Sequence, residues 1–220
     1  MFHFFMTILE VIFVERRPSL LFDLTKLRYK SFARLWTKNG EEMSIEMPGP
    51  LTELLSACEG VVLDIGPGSG EILSRFDADR ITAMYGAEPA EDLHKGLLRN
   101  AQKKGFGDKY HALLCGAEPE SLIPALHKSG ILQETINGLY SLLKPGGRMI
   151  ICEHVVNPWR TEGRILARFM QFVHTPDFLD IAGDWDKFEL KYYGSKDVIL
   201  FVVGELIKKG GKSYAEVVKK

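Results

Sequence analysis

The sequence predicts an α/β fold, a doubly wound and mainly parallel sheet that closes with a C-terminal antiparallel hairpin and is one central strand short. Three observations predict it. From residue 60 onward, apolar runs of strand length alternate with segments of helical periodicity, the pattern of a parallel sheet covered on both faces. A cluster of glycines, Gly66-Pro-Gly68-Ser-Gly70, follows the first of those runs directly. The last two runs are separated only by the turn Gly194-Ser-Lys-Asp197, which makes them a hairpin.

The elements follow in order. Apolar residues recur at helical spacing over residues 20–38, so a helix is expected there, and Asn39-Gly40 with Pro48-Gly-Pro50 marks a loop over 39–50. Leu51–Cys58 reads as a short helix. Gly60–Ile65 is a compact apolar run ending in glycines, the mark of a buried strand. Glu71–Phe76 begins a helix, Ile81–Ala87 is a second strand, Glu91–Lys104 a helix and His111–Cys115 a third strand. Leu132–Leu143 is a helix stopped by Lys144-Pro-Gly-Gly147, followed by a strand at Arg148–Glu153 and a helix at Trp159–Val173. Lys187–Tyr193 and Val198–Lys208 form the closing hairpin. The organisation expected is an N-terminal helical segment 1–58, a main domain 59–210 and a basic tail 211–220.

Composition narrows the function classes. The chain has 220 residues with 28 Lys+Arg against 29 Asp+Glu, so it lacks the basic surplus that grips a nucleic-acid backbone, and no nucleic-acid partner is expected. Cys58, Cys115 and Cys152 are widely spaced and odd in number. They form neither a disulfide framework nor a metal cluster, and a cytoplasmic location is expected. The apolar run from Met1 to Val14 is too short to span a bilayer as a helix and carries Glu10. It reads either as an interfacial anchor, with Arg16 and Arg17 toward anionic lipid, or as a helix packed on the domain or a frayed end.

The glycine turn carries the strongest chemical signal. Glycines after a first strand allow a tight turn and let a ligand lie against bare backbone. The spacing departs from the dinucleotide G-x-G-x-x-G pattern, because the third glycine falls one residue early and Glu71 stands in its place. No Gly-Lys-Ser/Thr ending marks a phosphate loop. A glutamate at a helix start also repels a pyrophosphate, so the ligand expected is a nucleoside without phosphate there, such as S-adenosylmethionine. Glu88, 18 residues after Gly70 at the end of the second strand, can accept both ribose hydroxyls. Glu118 follows the third strand, where a carboxylate can bind an adenine amino group. Asp64 can orient the loop or face a methionine ammonium.

These segments, Val62-Leu-Asp-Ile-Gly-Pro-Gly-Ser-Gly70, Glu88, Cys115-Gly-Ala-Glu118 and Leu142-Leu-Lys-Pro-Gly-Gly-Arg-Met-Ile-Ile-Cys-Glu-His154, resemble the ordered motifs of class I S-adenosylmethionine-dependent methyltransferases. The Glu153-His154-Val155 ending and Ala182-Gly-Asp-Trp185 further resemble the small methyltransferase-like proteins of the methyltransferase-11 type found in fungi and animals. The resemblance covers roughly residues 30–210. It implies a Rossmann-like fold, S-adenosyl-L-methionine as cofactor, and cofactor-binding roles for Asp64, Gly66, Gly68, Gly70, Glu88 and Glu118.

One family motif is missing. The resembled family has a fourth strand between the third strand and the Leu132–Leu143 helix, its end facing the sulfonium, and no β-branched apolar run stands there. Either the chain lacks that strand and its activity is impaired, or Ser121–Leu126 supplies a makeshift one. Methyl transfer is an in-line displacement that needs an aligned nucleophile and sometimes a base. His154, expected at the end of a parallel strand, is the candidate base, and Glu153 beside it can orient the ring; both can equally satisfy loop backbone. Trp159, Phe169, Phe172 and Phe178 can line an apolar acceptor pocket or pack a core. The function expected is methyl transfer to a small molecule, possible in secondary metabolism, through oxygen, nitrogen or sulfur. A catalytically impaired scaffold or partner protein is the alternative, and an NAD-dependent oxidoreductase has the glycine spacing against it.

Overall fold

The computed structural model of the chain describes residues 2–117, 119–128, 140, 142–156, 185–194 and 199–210. The chain forms two compact units, Met1–Glu46 with Ser56–Thr135, and Met47–Leu55 with Ile136–Lys220. The segment 1–58 is therefore shared between them. No helix among the described residues is long and apolar enough to cross a membrane.

In the first unit, helix α1 (Phe2–Leu9) continues into a π-helical turn, Glu10–Val14. Val11 buries its side chain against the unit. Glu10 pairs with Arg34 and Glu15 with Lys30 at 2.6 Å, which ties the segment to helix α2 (Leu24–Ile45). Asp23 caps α2, its carboxylate accepting the Lys26 amide at 3.1 Å. The helix runs seven residues past the expected end at 38, straight through Asn39-Gly40. Gly40 serves packing there and not a turn, since a Cβ on it would lie 2.9 Å from the Trp36 indole nitrogen. The helix stops ahead of Pro48, and the Arg75 guanidinium donates to the Ser44 carbonyl in its last turn.

Strands β1 (Gly60–Ile65), β2 (Ile81–Ala87) and β3 (Tyr110–Leu113) pair in parallel in the order β1-β2-β3. This is one wing of a Rossmann-like sheet, with β2 central. Helix α4 (Glu91–Lys103) is strongly amphipathic and buries Leu93, Leu97 and Ala101, while Leu73, Ile81, Met84, Phe106 and Tyr110 complete the core. The expected Glu71–Phe76 helix is a single 3-10 turn, Glu71–Arg75. Phe76 returns to extended backbone at once, because its ring is drawn into the core below the turn.

Beyond β3 the chain enters helix α5 (Pro119–Lys128), which buries Leu122 and Leu126 one turn apart. The makeshift strand considered for Ser121–Leu126 is thus a helix. Among the described residues no strand lies between β3 and β4, and β1 has a strand partner on one side.

In the second unit, β4 (Arg148–Val156), β5 (Trp185–Tyr193) and β6 (Ile199–Lys208) form a separate sheet in the order β4-β6-β5, with both pairings antiparallel. The hairpin is as expected. The strand read as parallel and ending at Glu153 instead pairs antiparallel with β6 and extends to Val156. Central β6 buries Leu200, Val202, Val203, Leu206 and Ile207. It also buries Glu205, held between the cations of Arg148 and Lys187, the latter at 2.7 Å. Helix α3 (Gly49–Ser56) contributes Pro50, Glu53 and Leu54 to a small pocket of about 120 Å³ against β5 and β6. Where the chain turns into β4, Gly147 donates to the Lys144 carbonyl at 2.7 Å, and the Lys208 ammonium meets the carbonyls of Tyr140 and Leu143. Most of the expected Leu132–Leu143 helix, the Trp159–Val173 helix, the Ala182–Asp184 stretch and the tail lie outside the described residues.

Candidate functional site

The glycine turn leaves β1 at its carboxyl end, the side on which open parallel sheets take ligands. Gly66, Gly68 and Gly70 all have positive φ, between 61° and 83°, a conformation L side chains rarely adopt. Three tethers hold the turn. The Gly66 amide donates to the Ala87 carbonyl at 2.9 Å and so extends the ladder to β2. The Asn100 side chain on α4 donates to the Ser69 carbonyl at 2.7 Å. The Gly68 amide donates to Glu88 Oε2 at 3.1 Å.

Glu88 is 2% exposed, and its second oxygen accepts the Ala90 amide at 2.8 Å. Burial raises its pKa, while the two amide bonds work in the other direction. The carboxylate expected to meet a ribose therefore also buttresses the turn, and each oxygen retains a further acceptor site. His94 Nε2 donates to the Glu88 carbonyl across 2.8 Å.

Asp64 sits one strand over. Its Oδ2 is enclosed and without a hydrogen-bond partner among the described residues. Burial, then the neighbouring Glu88 charge, pushes its carboxyl pKa up to about 7. In register, Asp64 faces Gly86 of β2, and the Tyr110 ring reaches over that glycine from β3. The Tyr110 hydroxyl is likewise enclosed and unpartnered among the described residues, its pKa raised by burial and by the charges of Asp64 and Glu88.

Two residues that sequence reasoning missed complete the site. Trp36 of α2 lays its indole on Gly68, so that any Cβ there would fall among the ring atoms, and its N–H donates to Glu71 Oε2 at 2.8 Å. Glu71, expected to open a helix and repel phosphate, instead anchors that indole. Trp36 stacks on Phe32 one turn earlier, with centroids 5.6 Å apart, and this i, i+4 aromatic pair was the available signal. Tyr110 had none, because its role depends on register with Gly86.

The structure thus gathers Asp64, Gly66, Gly68, Gly70 and Glu88 in the first unit. Glu118 lies outside the described residues. Glu153 and His154 belong to β4 in the second unit, opposite Val202 and Phe201 of β6, and His154 lies two residues inside the strand. Groups of three or more potential metal ligands are absent among the described residues. The donor set fits a nucleoside without phosphate: bare backbone at positive φ, a carboxylate at the end of β2 and, at the end of β1, the Asp64 carboxyl with its Oδ2 unpartnered among the described residues. The Trp36 indole covers the same face.

No family model matches the chain, and no curated protein matches it. Solved structures do resemble it. An O-methyltransferase family protein from Burkholderia thailandensis is similar over 84% of this chain and 60% of that one, at 11% identity and TM-score 0.46. An S-adenosylmethionine-dependent methyltransferase from Thiobacillus denitrificans, in complex with S-adenosyl-L-homocysteine, matches 65% of this chain and 67% of that one, at 18% identity and TM-score 0.40. An rRNA methylase from Streptococcus thermophilus matches 72% of this chain and 92% of that one, at 16% identity and TM-score 0.40. The chain spans three fifths of the length of the first of these, and the likeness in each case is one of fold.

Proposed function

We propose that the glycine turn of the parallel unit binds S-adenosylmethionine and that the chain transfers the methyl group to a small, largely apolar acceptor through oxygen, nitrogen or sulfur. The observation that carries this reading is the pairing of buried Glu88 with the Gly68 amide beside Asp64, whose Oδ2 is enclosed and without a hydrogen-bond partner among the described residues. The cofactor, when bound, supplies an electrophilic methyl on a sulfonium. The chain's own residues do the rest. Gly66, Gly68 and Gly70 admit the nucleoside against backbone, the free acceptor sites of Glu88 take ribose hydroxyls, Glu118 takes the adenine amino group, and Asp64 faces the ammonium. Trp36 must swing off Gly68 for this to occur. Calorimetry with S-adenosylmethionine and S-adenosylhomocysteine tests the binding, with heat and a thermal shift expected for both. Silence in both measurements at millimolar cofactor overturns it.

A second reading, a methyltransferase-like scaffold without turnover, is favoured by the absence of a strand between β3 and β4 among the described residues. Transfer of labelled methyl to any small acceptor separates the two, since a scaffold binds the cofactor and transfers nothing.

A further inference from the structure

We propose that the turn joining the π-helical segment to α2 docks on an anionic lipid surface. Four large apolar side chains stand out from this short stretch: Phe13 is 72% exposed, Val14 75%, Phe22 90% and Leu24 66%. Single exposed apolar residues are ordinary, but four within twelve positions form a patch that water disfavours. Phe22 is nine-tenths exposed, so almost the whole of its ring is open to a lipid headgroup layer.

Charge selects the partner. Every carboxylate of the stretch is engaged by the protein itself: Glu10 with Arg34, Glu15 with Lys30, and Asp23 with the Lys26 amide and ammonium. The side chains of Arg16 and Arg17, both exposed and in no ion pair among the described residues, therefore remain as a net positive pair between Phe13-Val14 and Phe22. The turn is pinned. Arg17 donates to the Val11 carbonyl at 2.9 Å, Leu20 to the Arg17 carbonyl at 3.0 Å, and Arg16 holds a left-handed backbone at φ 55° where glycine is the usual occupant. Apolar anchors flanking a preset cationic turn match the chemistry of an acidic bilayer surface, where residual headgroup charge meets arginine and the acyl boundary accepts phenylalanine. The chain has no spanning helix among its described residues, so this contact lies on the membrane and does not cross it.

The test is co-sedimentation of the full chain with vesicles of phosphatidylcholine alone or with roughly a third phosphatidylserine. Binding is expected to the anionic vesicles only and to fall with added salt. Arg16→Asn with Arg17→Ser, where asparagine tolerates the left-handed backbone, should weaken it roughly 30-fold, about 1 kcal/mol for each arginine. Phe13→Ser with Phe22→Ser should abolish it without changing the thermal melt, because both side chains are exposed. The proposal is overturned if the wild type ignores anionic vesicles, or if the phenylalanine pair binds them as well as the wild type. It is equally overturned if the patch instead mediates a concentration-dependent dimer that the same phenylalanine substitutions dissolve.

Discussion

The indole N–H of Trp36 donates to Glu71 Oε2 across 2.8 Å, and the ring it anchors fills the space a side chain at Gly68 would take. A helix residue and a turn residue thereby close the face of the glycine turn on which the proposed nucleoside would lie. The open form must be the minor one, and apparent affinity is reduced by its fractional population. Trp36→Ala should therefore tighten S-adenosylmethionine binding about ten-fold, while loss of packing on Ala33, Ala90 and Leu93 lowers stability by about 2 kcal/mol. Calorimetry and urea unfolding read the two effects separately. Weaker binding by Trp36→Ala would show that the indole is part of the cofactor site rather than its cover.

Glu88 joins support and recognition in one side chain. Glu88→Ala leaves the amides of Gly68 and Ala90 buried without an acceptor, so unfolding stability should fall by about 2–4 kcal/mol and cofactor binding should vanish. Glu88→Gln keeps one acceptor and turns an NH₂ toward the other amide, so it should fall about halfway between. Equal stability of the wild type and Glu88→Ala in urea would refute the buttressing role.

Much of this site was legible in the sequence, for reasons that also mark where legibility stops. Strand β2 matches its expected Ile81–Ala87 bounds, and α4 ends one residue short of expectation, because short buried runs and a 3.6-residue apolar period are local signals. Asn39-Gly40 misled because glycine there answers a packing demand of Trp36 and not a backbone turn. Ser121–Leu126 resisted assignment because Leu122 and Leu126 form a helical stripe of only two residues in a segment that also holds Pro124. The antiparallel pairing of β4 was hidden because strand direction is decided by the partner, β6, some fifty residues later. Asp64, Gly66, Gly68, Gly70 and Glu88 lie along one strand, its glycine turn and the next strand end, so the sequence already places them together, whereas Trp36 and Tyr110 reach the turn only through tertiary packing.

The Tyr110 hydroxyl and Gly86 compete for one volume. A methyl group at Gly86 would collide with that hydroxyl, so Gly86→Ala should destabilise the fold by about 1–3 kcal/mol. Tyr110→Phe removes a buried hydroxyl that has no partner among the described residues, and should be neutral or stabilising by about 1 kcal/mol. Combined, the two should be better than additive, because losing the hydroxyl removes the closest of the contacts a Gly86 methyl would make, while a ring carbon at 2.8 Å remains. Additive losses in a double-mutant cycle by chemical denaturation would mean that Gly86 is required for another reason.

Asp64 gives the parallel unit a pH dependence of unusual sign. Its carboxyl pKa is pushed up to about 7 by burial first and the Glu88 charge second, against an ordinary value of 3.8 in the unfolded chain. Between those two values the folded state keeps a proton that the unfolded state has released. Stability contributed by the protonated carboxyl is therefore complete below pH 3.8, drains away as pH rises toward about 7, and is constant above it. Glu88, whose pKa is raised as well, acts in the same direction. Asp64→Asn mimics the protonated form at every pH, so from pH 5 to pH 8 the wild type should lose about 2 kcal/mol more stability than the variant. Urea unfolding at the two pH values reads that difference directly. Parallel losses in both proteins would place the Asp64 carboxylate in contact with water, where nothing raises its pKa.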